Sequence, residues 1–238
     1  LSRALFDAIS LRDVHRDLLR NVKGLRISQD LYDDLSADPR DWPLAIEAQM
    51  RARPVRARPP AIIHRPFEQA DYLDAVRFPF DHWARSRFSS GRFGVWYGSA
   101  QMKTTIHETV YHWMRMLRDS GFDRHDRPVY GERRVFRVRC EAALLDLRPL
   151  SARFAALVDP DSYRFTQGVG ARVHREGHPG LINGSARCEG DVYALFTPKV
   201  LSKPRNHCDL TYHFDPTHPR SVRVERTPGR RLMTVALG

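Results

Sequence analysis

The 238-residue sequence is poor in cysteine and in lysine, and it lacks any long apolar run. Its three cysteines, Cys140, Cys188 and Cys208, are far apart and form no C-x-x-C pair. A disulfide framework and a structural zinc site are therefore not expected, and a reducing, cytoplasmic setting is. No stretch of 18 apolar residues suggests a transmembrane helix, and Leu1-Ser2-Arg3 opens no apolar segment of signal-peptide length. Only four lysines are present, against 35 arginines. Formal net charge is +11, with 42% hydrophobic and 28% charged residues, which suits a chain with a buried core. A guanidinium surplus permits a phosphate-bearing ligand or an acidic partner. The arginines are scattered except over Arg51–Arg58, and no zinc finger, RRM or basic zipper accompanies them. A basic nucleic-acid-binding module is thus a remote alternative, and no membrane partner is expected.

Residues 1–60 have the texture of an extension. Val14, Leu18 and Val22 recur at roughly helical spacing, so residues 1–22 are expected to form an amphipathic helix. Residues 43–50 suit a short helix, and the Pro/Arg-rich stretch 51–60 suits a stiff connector. From residue 61 to 238 a second texture holds. Residues 61–65 and 94–98 are short strand candidates. Residues 104–117 form the clearest helix, with Ile106, Val110, Trp113 and Leu117 on one stripe. Residues 134–140, 142–147, 191–196, 209–214, 221–224 and 232–237 are further strand candidates, and 151–158 and 162–176 further helices. Strands and helices mix without strict alternation, which predicts an α+β fold with a mixed sheet.

Several familiar signals fail. Gly168-Val-Gly170 lacks the third glycine and the preceding strand of a dinucleotide fingerprint. His107-Glu108 is followed by His112 at five positions rather than four, which rotates the second imidazole off a shared helix face. A zinc hydrolase or metal-dependent nuclease is disfavoured accordingly, and no metal cofactor is expected.

One constellation remains: Arg65, then Arg87-Phe-Ser-Ser-Gly91, Tyr97-Gly-Ser99, Thr105-Ile-His-Glu108 and Gly180-Leu-Ile-Asn-Gly-Ser185-Ala-Arg187. In residue type and spacing, from about residue 61 to 200, it resembles the RES-domain family. That family is named for an Arg, a Glu and a Ser, and it includes NAD+-consuming toxins of bacterial toxin–antitoxin systems and their ParT-like ADP-ribosyltransferase branch. Ser86, Ser89 and Ser90 stand where the family text has Gly, Asn and Pro, and Asn183-Gly184 where it has Tyr-Pro. The resemblance implies a mixed sheet like that of the diphtheria-toxin-like ADP-ribosyltransferases, and NAD+ as a consumed substrate. It implies Glu108, Tyr97 and Arg65 as catalytic residues, with Arg65, Arg87, Tyr97, Ser185 and Arg187 as NAD+-binding ones. The activity it implies is cleavage of the nicotinamide–ribose bond with ADP-ribose transfer to a protein, phosphoribosyl pyrophosphate synthetase being one such acceptor. Phosphorolysis or hydrolysis that depletes NAD+ is the alternative. A cognate antitoxin carrying a DNA-binding domain is the implied partner.

These residue types suit that chemistry. A carboxylate stabilises an oxocarbenium-like ribose, an aromatic face can stack on nicotinamide, and guanidinium forks grip phosphates. Each residue also fits a plainer role. Thr105-x-x-Glu108 matches a helix capping box. Tyr97 in an apolar strand suits a core, Arg65 before Pro66 a strand end, and Ser185 beside Gly184 a turn.

Overall fold

The computed structural model describes residues 3–24, 73–124, 127–226 and 229–237. Leu1–Gly24 and Glu68–Gly238 form one compact unit, and Leu25–Phe67 fall in another. Arg65, the strand expected at 61–65, the helix expected at 43–50 and the 51–60 connector lie outside the described residues.

The described unit is α+β, as the mixture of periodicities predicts. Eight strands form one mixed sheet: β1 (Ser10–Lys23), β2 (Trp96–Gly98), β3 (Val129–Asp146), β4 (Gly180–Gly184), β5 (Asp191–Leu195), β6 (Leu201–Phe214), β7 (Ser221–Arg226) and β8 (Arg230–Ala236). Two helices exceed two turns, α1 (Met102–Asp119) and α2 (Arg164–Arg175). No described helix is long and apolar enough to cross a membrane.

The helix expected over 1–22 is not there. After a four-residue helical turn at Arg3–Phe6, the chain extends as β1 and pairs antiparallel with β3, from Ser10 opposite Asp146 to Lys23 opposite Arg133. A four-residue spacing serves both periods, being 40° off one turn of helix and an even number along a strand. Val14 and Leu18 therefore share a strand face and are both buried. Arg16 and Arg20 interrupt that face in the sequence and conceal its alternation. Arg20 is half-buried, with its guanidinium carbon 5.4 Å from the Trp96 ring centroid and its Nη1 donating to the Tyr97 carbonyl.

Hydrogen bonding runs from β1 through β3, β4 and β5 to β2. It returns to β1 where Leu19 and Ser99 exchange both backbone bonds, at 2.7 and 3.0 Å. Leu18, Trp96, Phe136, Val138, Ile182 and Leu195, drawn from all five strands, pack into one buried core. The β3–β4 pair, Leu145 to Leu181 and Asp146 to Ile182, is parallel, and its neighbours are antiparallel. β6, β7 and β8 continue the sheet from the other part of β3. Onto them α1 lays Ile106, Val110, Trp113, Met114 and Leu117, which bury against Leu210, Tyr212, Phe214, Val222 and Val224. That stripe falls at helical spacing and accounts for the helix.

Of two further expected helices, one shrinks and one forms. Residues 151–158 contain only the short turn Ala155–Leu157, and 162–176 give α2. The buried Gly-Leu-Ile-Asn-Gly run of β4 is a strand that hydropathy alternation does not reveal, because four of its five residues are buried between two neighbours.

Candidate active site

Three segments meet because β5 has β2 on one side and β4 on the other. β2 carries Tyr97 and is preceded by the loop bearing Arg87. Four residues after β2 ends, α1 begins its rise toward Glu108. The turn after β4 carries Ser185 and Arg187.

The centre of the site is a hydrogen bond from Ser185 Oγ to Glu108 Oε1, 2.6 Å long, between residues 77 positions apart. Glu108 therefore does not cap its helix. The N-cap is Gln101, and the Thr105 hydroxyl donates to the Met102 carbonyl inside the first turn. Ser185 Oγ also accepts from the backbone N–H groups of Arg187, at 3.0 Å, and Cys188, at 3.3 Å. The turn is closed by Ser185 N–H on the Gly190 carbonyl. Gly190 has φ +154°, and a Cβ there would stand 2.1 Å from Thr104 Oγ1, so only glycine lets the turn lie against α1. One serine thus fixes both the carboxylate and the backbone that aims Arg187.

The Arg87 loop is held from several sides. The Tyr97 hydroxyl donates to Ser86 Oγ at 2.9 Å and accepts from Phe88 N–H at 3.0 Å. Burial raises the Tyr97 phenol to about 12, against the opposing pull of these hydrogen bonds and of Arg87. Ser89, fully buried, donates to the Phe93 carbonyl, and Gly91 turns at φ +98°. From α2, Gln167 Nε2 donates to the Ser86 carbonyl at 2.9 Å. Gly170 lets the Phe88 carbonyl approach to 1.9 Å of where a Cβ would sit. Gly170, which fails as part of a dinucleotide fingerprint, is therefore a point of close packing on α2. Ser86 and Ser89 are tied into the same network.

Arg87 Nη1 donates to the Asp159 carbonyl at 2.8 Å, and Arg187 Nη2 donates to the Pro160 carbonyl. Arg87 Nη2 and Arg187 Nε are buried with no acceptor. A buried donor left unpaired costs about 1–3 kcal/mol, and such donors fit the oxygens of a phosphate. Asp159 sits beside both guanidinium groups, and its carboxyl is lowered chiefly by the N–H groups of Ser162 and Asp161. His112, one turn beyond Glu108, is lowered by desolvation and by Arg187, Arg115 and Arg87, against the raising effect of Glu108.

Of the six residues singled out by the sequence, Glu108 and Ser185 are in contact and Arg187 is joined to Ser185 through its backbone. Tyr97, on β2, holds the adjoining loop that bears Arg87, and Arg65 lies outside the described residues. Tyr111, Tyr163 and the 159–160 backbone were not singled out. A carbonyl partner leaves no residue-type signature. Among the described residues no group of three or more His, Cys, Asp or Glu side chains is arranged to hold a metal ion.

No curated protein matches the chain in sequence. Among solved structures, the crystal structure of the M. tuberculosis MbcT–MbcA toxin–antitoxin complex is similar over 85% of this chain and 89% of that one, at 12% identity and a TM-score of 0.43. The family model described as the RES domain matches residues 56–215, well over half of the sequence. By that match, the chain belongs to the RES-domain family.

Proposed function

We propose that this chain is the toxin of a toxin–antitoxin pair that splits the nicotinamide–ribose bond of NAD+ and passes ADP-ribose to an acceptor. The acceptor we favour is a protein. The observation that carries the reading is the Ser185–Glu108 hydrogen bond, which fixes a carboxylate beside a turn whose arginine has a buried, unpaired donor. Membership of the RES-domain family supports it.

In this reading the C–N glycosyl bond breaks with its electron pair leaving on the nicotinamide nitrogen, so the pyridinium becomes a neutral ring. Positive charge develops on the ribose C1 and ring oxygen. The Glu108 carboxylate stabilises that charge, held in place by Ser185 so that little reorganisation is needed. An acceptor O–H or N–H then bonds to C1 and gives up its proton to Glu108. Arg87 and Arg187 hold the two phosphates through donors that otherwise lack acceptors. Tyr97 fixes the Arg87 loop through its hydroxyl, and any stacking on nicotinamide comes from its ring. Arg65 is a further phosphate or ribose ligand in this scheme. The antitoxin covers the cleft with acidic groups that meet the same guanidinium donors.

Labelled NAD+ separates the acceptors. Protein-bound label marks ADP-ribosyl transfer, ADP-ribose 1''-phosphate marks phosphorolysis, and free ADP-ribose marks hydrolysis. Absence of nicotinamide release with protein, phosphate and water all supplied would overturn the proposal.

A further inference from the structure

The two site arginines each lie on a tyrosine. The Arg187 guanidinium carbon stands 3.2 Å from the Tyr111 ring centroid, and that of Arg87 stands 4.5 Å from the Tyr163 centroid. Tyr111 follows Glu108 by three residues on α1, so one helix face meets the 185–187 turn at two points, carboxylate on hydroxyl and ring on guanidinium. Tyr163 stands at the N-terminal boundary of α2. Its hydroxyl also accepts from Arg187 Nη2 at 3.5 Å, so it touches both guanidinium groups.

Each guanidinium is restrained twice, by a ring beneath it and by a backbone carbonyl at one edge, Asp159 for Arg87 and Pro160 for Arg187. A planar fork held in this way cannot swing about its own stem. The donors left over, Arg87 Nη2 and Arg187 Nε, are the buried ones without acceptors. Two oriented donors on neighbouring guanidinium groups match two linked phosphates better than one.

We infer that Tyr111 and Tyr163 are positioning residues that aim Arg187 and Arg87 at a pyrophosphate, so that the site selects a dinucleotide over nicotinamide mononucleotide. The inference rests on the NAD+ reading above. Nicotinamide mononucleotide contains the same scissile bond with a single phosphate and is the discriminating probe.

The test uses the full chain with Tyr111→Phe, Tyr111→Leu, Tyr163→Phe and Tyr163→Leu. Phe keeps the ring, and Leu removes it. A cation–ring contact in a desolvated site corresponds to about a tenfold effect. Each Leu variant is expected to raise KM for NAD+ about tenfold with kcat within about twofold, and each Phe variant to raise it clearly less, Tyr163→Phe losing only the long hydroxyl contact with Arg187. The wild type is expected to split the mononucleotide at a kcat/KM at least about tenfold below NAD+, and only the Leu variant behind the arginine that holds its single phosphate to lower that value further. Equal losses in Phe and Leu variants, a fall in kcat with KM unchanged, or equal use of the two substrates would overturn the inference. Calorimetry with ADP and AMP reads the bracket without turnover. Wild type is expected to prefer ADP by about tenfold, the scale of one hydrogen bond to a charged group, and equal affinities would overturn the inference even where a Leu variant fails to fold. Absence of nicotinamide release with the ADP preference intact would refute the NAD+ reading while leaving the diphosphate bracket standing.

Discussion

Glu108 is held by a neighbour distant in sequence rather than by its own helix end. Its carboxylate receives the Ser185 hydroxyl at 2.6 Å, and that hydroxyl is itself anchored by two backbone N–H groups. Glu108→Gln is expected to lower kcat for nicotinamide release by about a hundredfold or more, the scale of losing one preorganised electrostatic group, with the thermal transition kept. Ser185→Ala is expected to lower kcat by about ten- to a hundredfold, matching a hydrogen bond to a charged group at about 1.5–3 kcal/mol. Steady-state kinetics on both variants checks these values. Tyr97 offers a test by pH. Below pH 10 its phenol is neutral in folded and unfolded chains alike. Between pH 10 and about 12 only the unfolded chain ionises, because burial holds the folded phenol at about 12. Stability therefore falls as pH rises through that window, and Tyr97→Phe is expected to fall less steeply in urea titrations at pH 9 to 12. Glu108, Ser185, Arg187, Arg87 and Tyr97 are legible in the sequence through their resemblance in type and spacing to the RES-domain family. The contact between Glu108 and Ser185 was not legible, since a capping box and a glycine turn explained both residues locally.

Among the elements, β1 and the loop 86–91 decide how the site is built. β1 matches β3 residue for residue over its whole length and closes the hydrogen-bonded circuit through Leu19 and Ser99. Leu18, with no exposed surface, sits in the core that circuit encloses. Leu18→Ala is expected to cost about 2–5 kcal/mol in chemical denaturation, whereas a solvent-side extension would tolerate it. Gly170→Ala forces a methyl group against the Phe88 carbonyl. It is expected to lower Tm by several degrees and to raise KM for NAD+ through Arg87, a pair of effects that melting curves and kinetics read separately. The helix α1 was legible because its apolar stripe has a single period. β1 was not, because Val14, Leu18 and Val22 fit two periods and Arg20 lies half-buried on a face that its charge marks as solvent. β4 was missed for a different reason: it is too short and too uniformly buried to alternate.

For the whole molecule, a net charge of +11 carried almost wholly by arginine permits phosphate-bearing or acidic partners. Composition alone left nucleic acid, acidic protein and phosphate ligands open. The fold brings two guanidinium groups, two tyrosine rings and one serine-bound carboxylate together from α1, the boundary of α2, the loop before β2 and the turn after β4. The order of the motif residues along the chain is legible in the sequence. Their convergence depends on β4 pairing between β3 and β5, which no local pattern announces.

The most direct measurement is a crystal structure of the Glu108→Gln variant soaked with NAD+. The side chain at position 108 is expected within about 3.5 Å of the nicotinamide ribose, with the pyrophosphate on Arg87 and Arg187. A dinucleotide bound away from α1, or with its phosphates on other residues, would contradict the proposal.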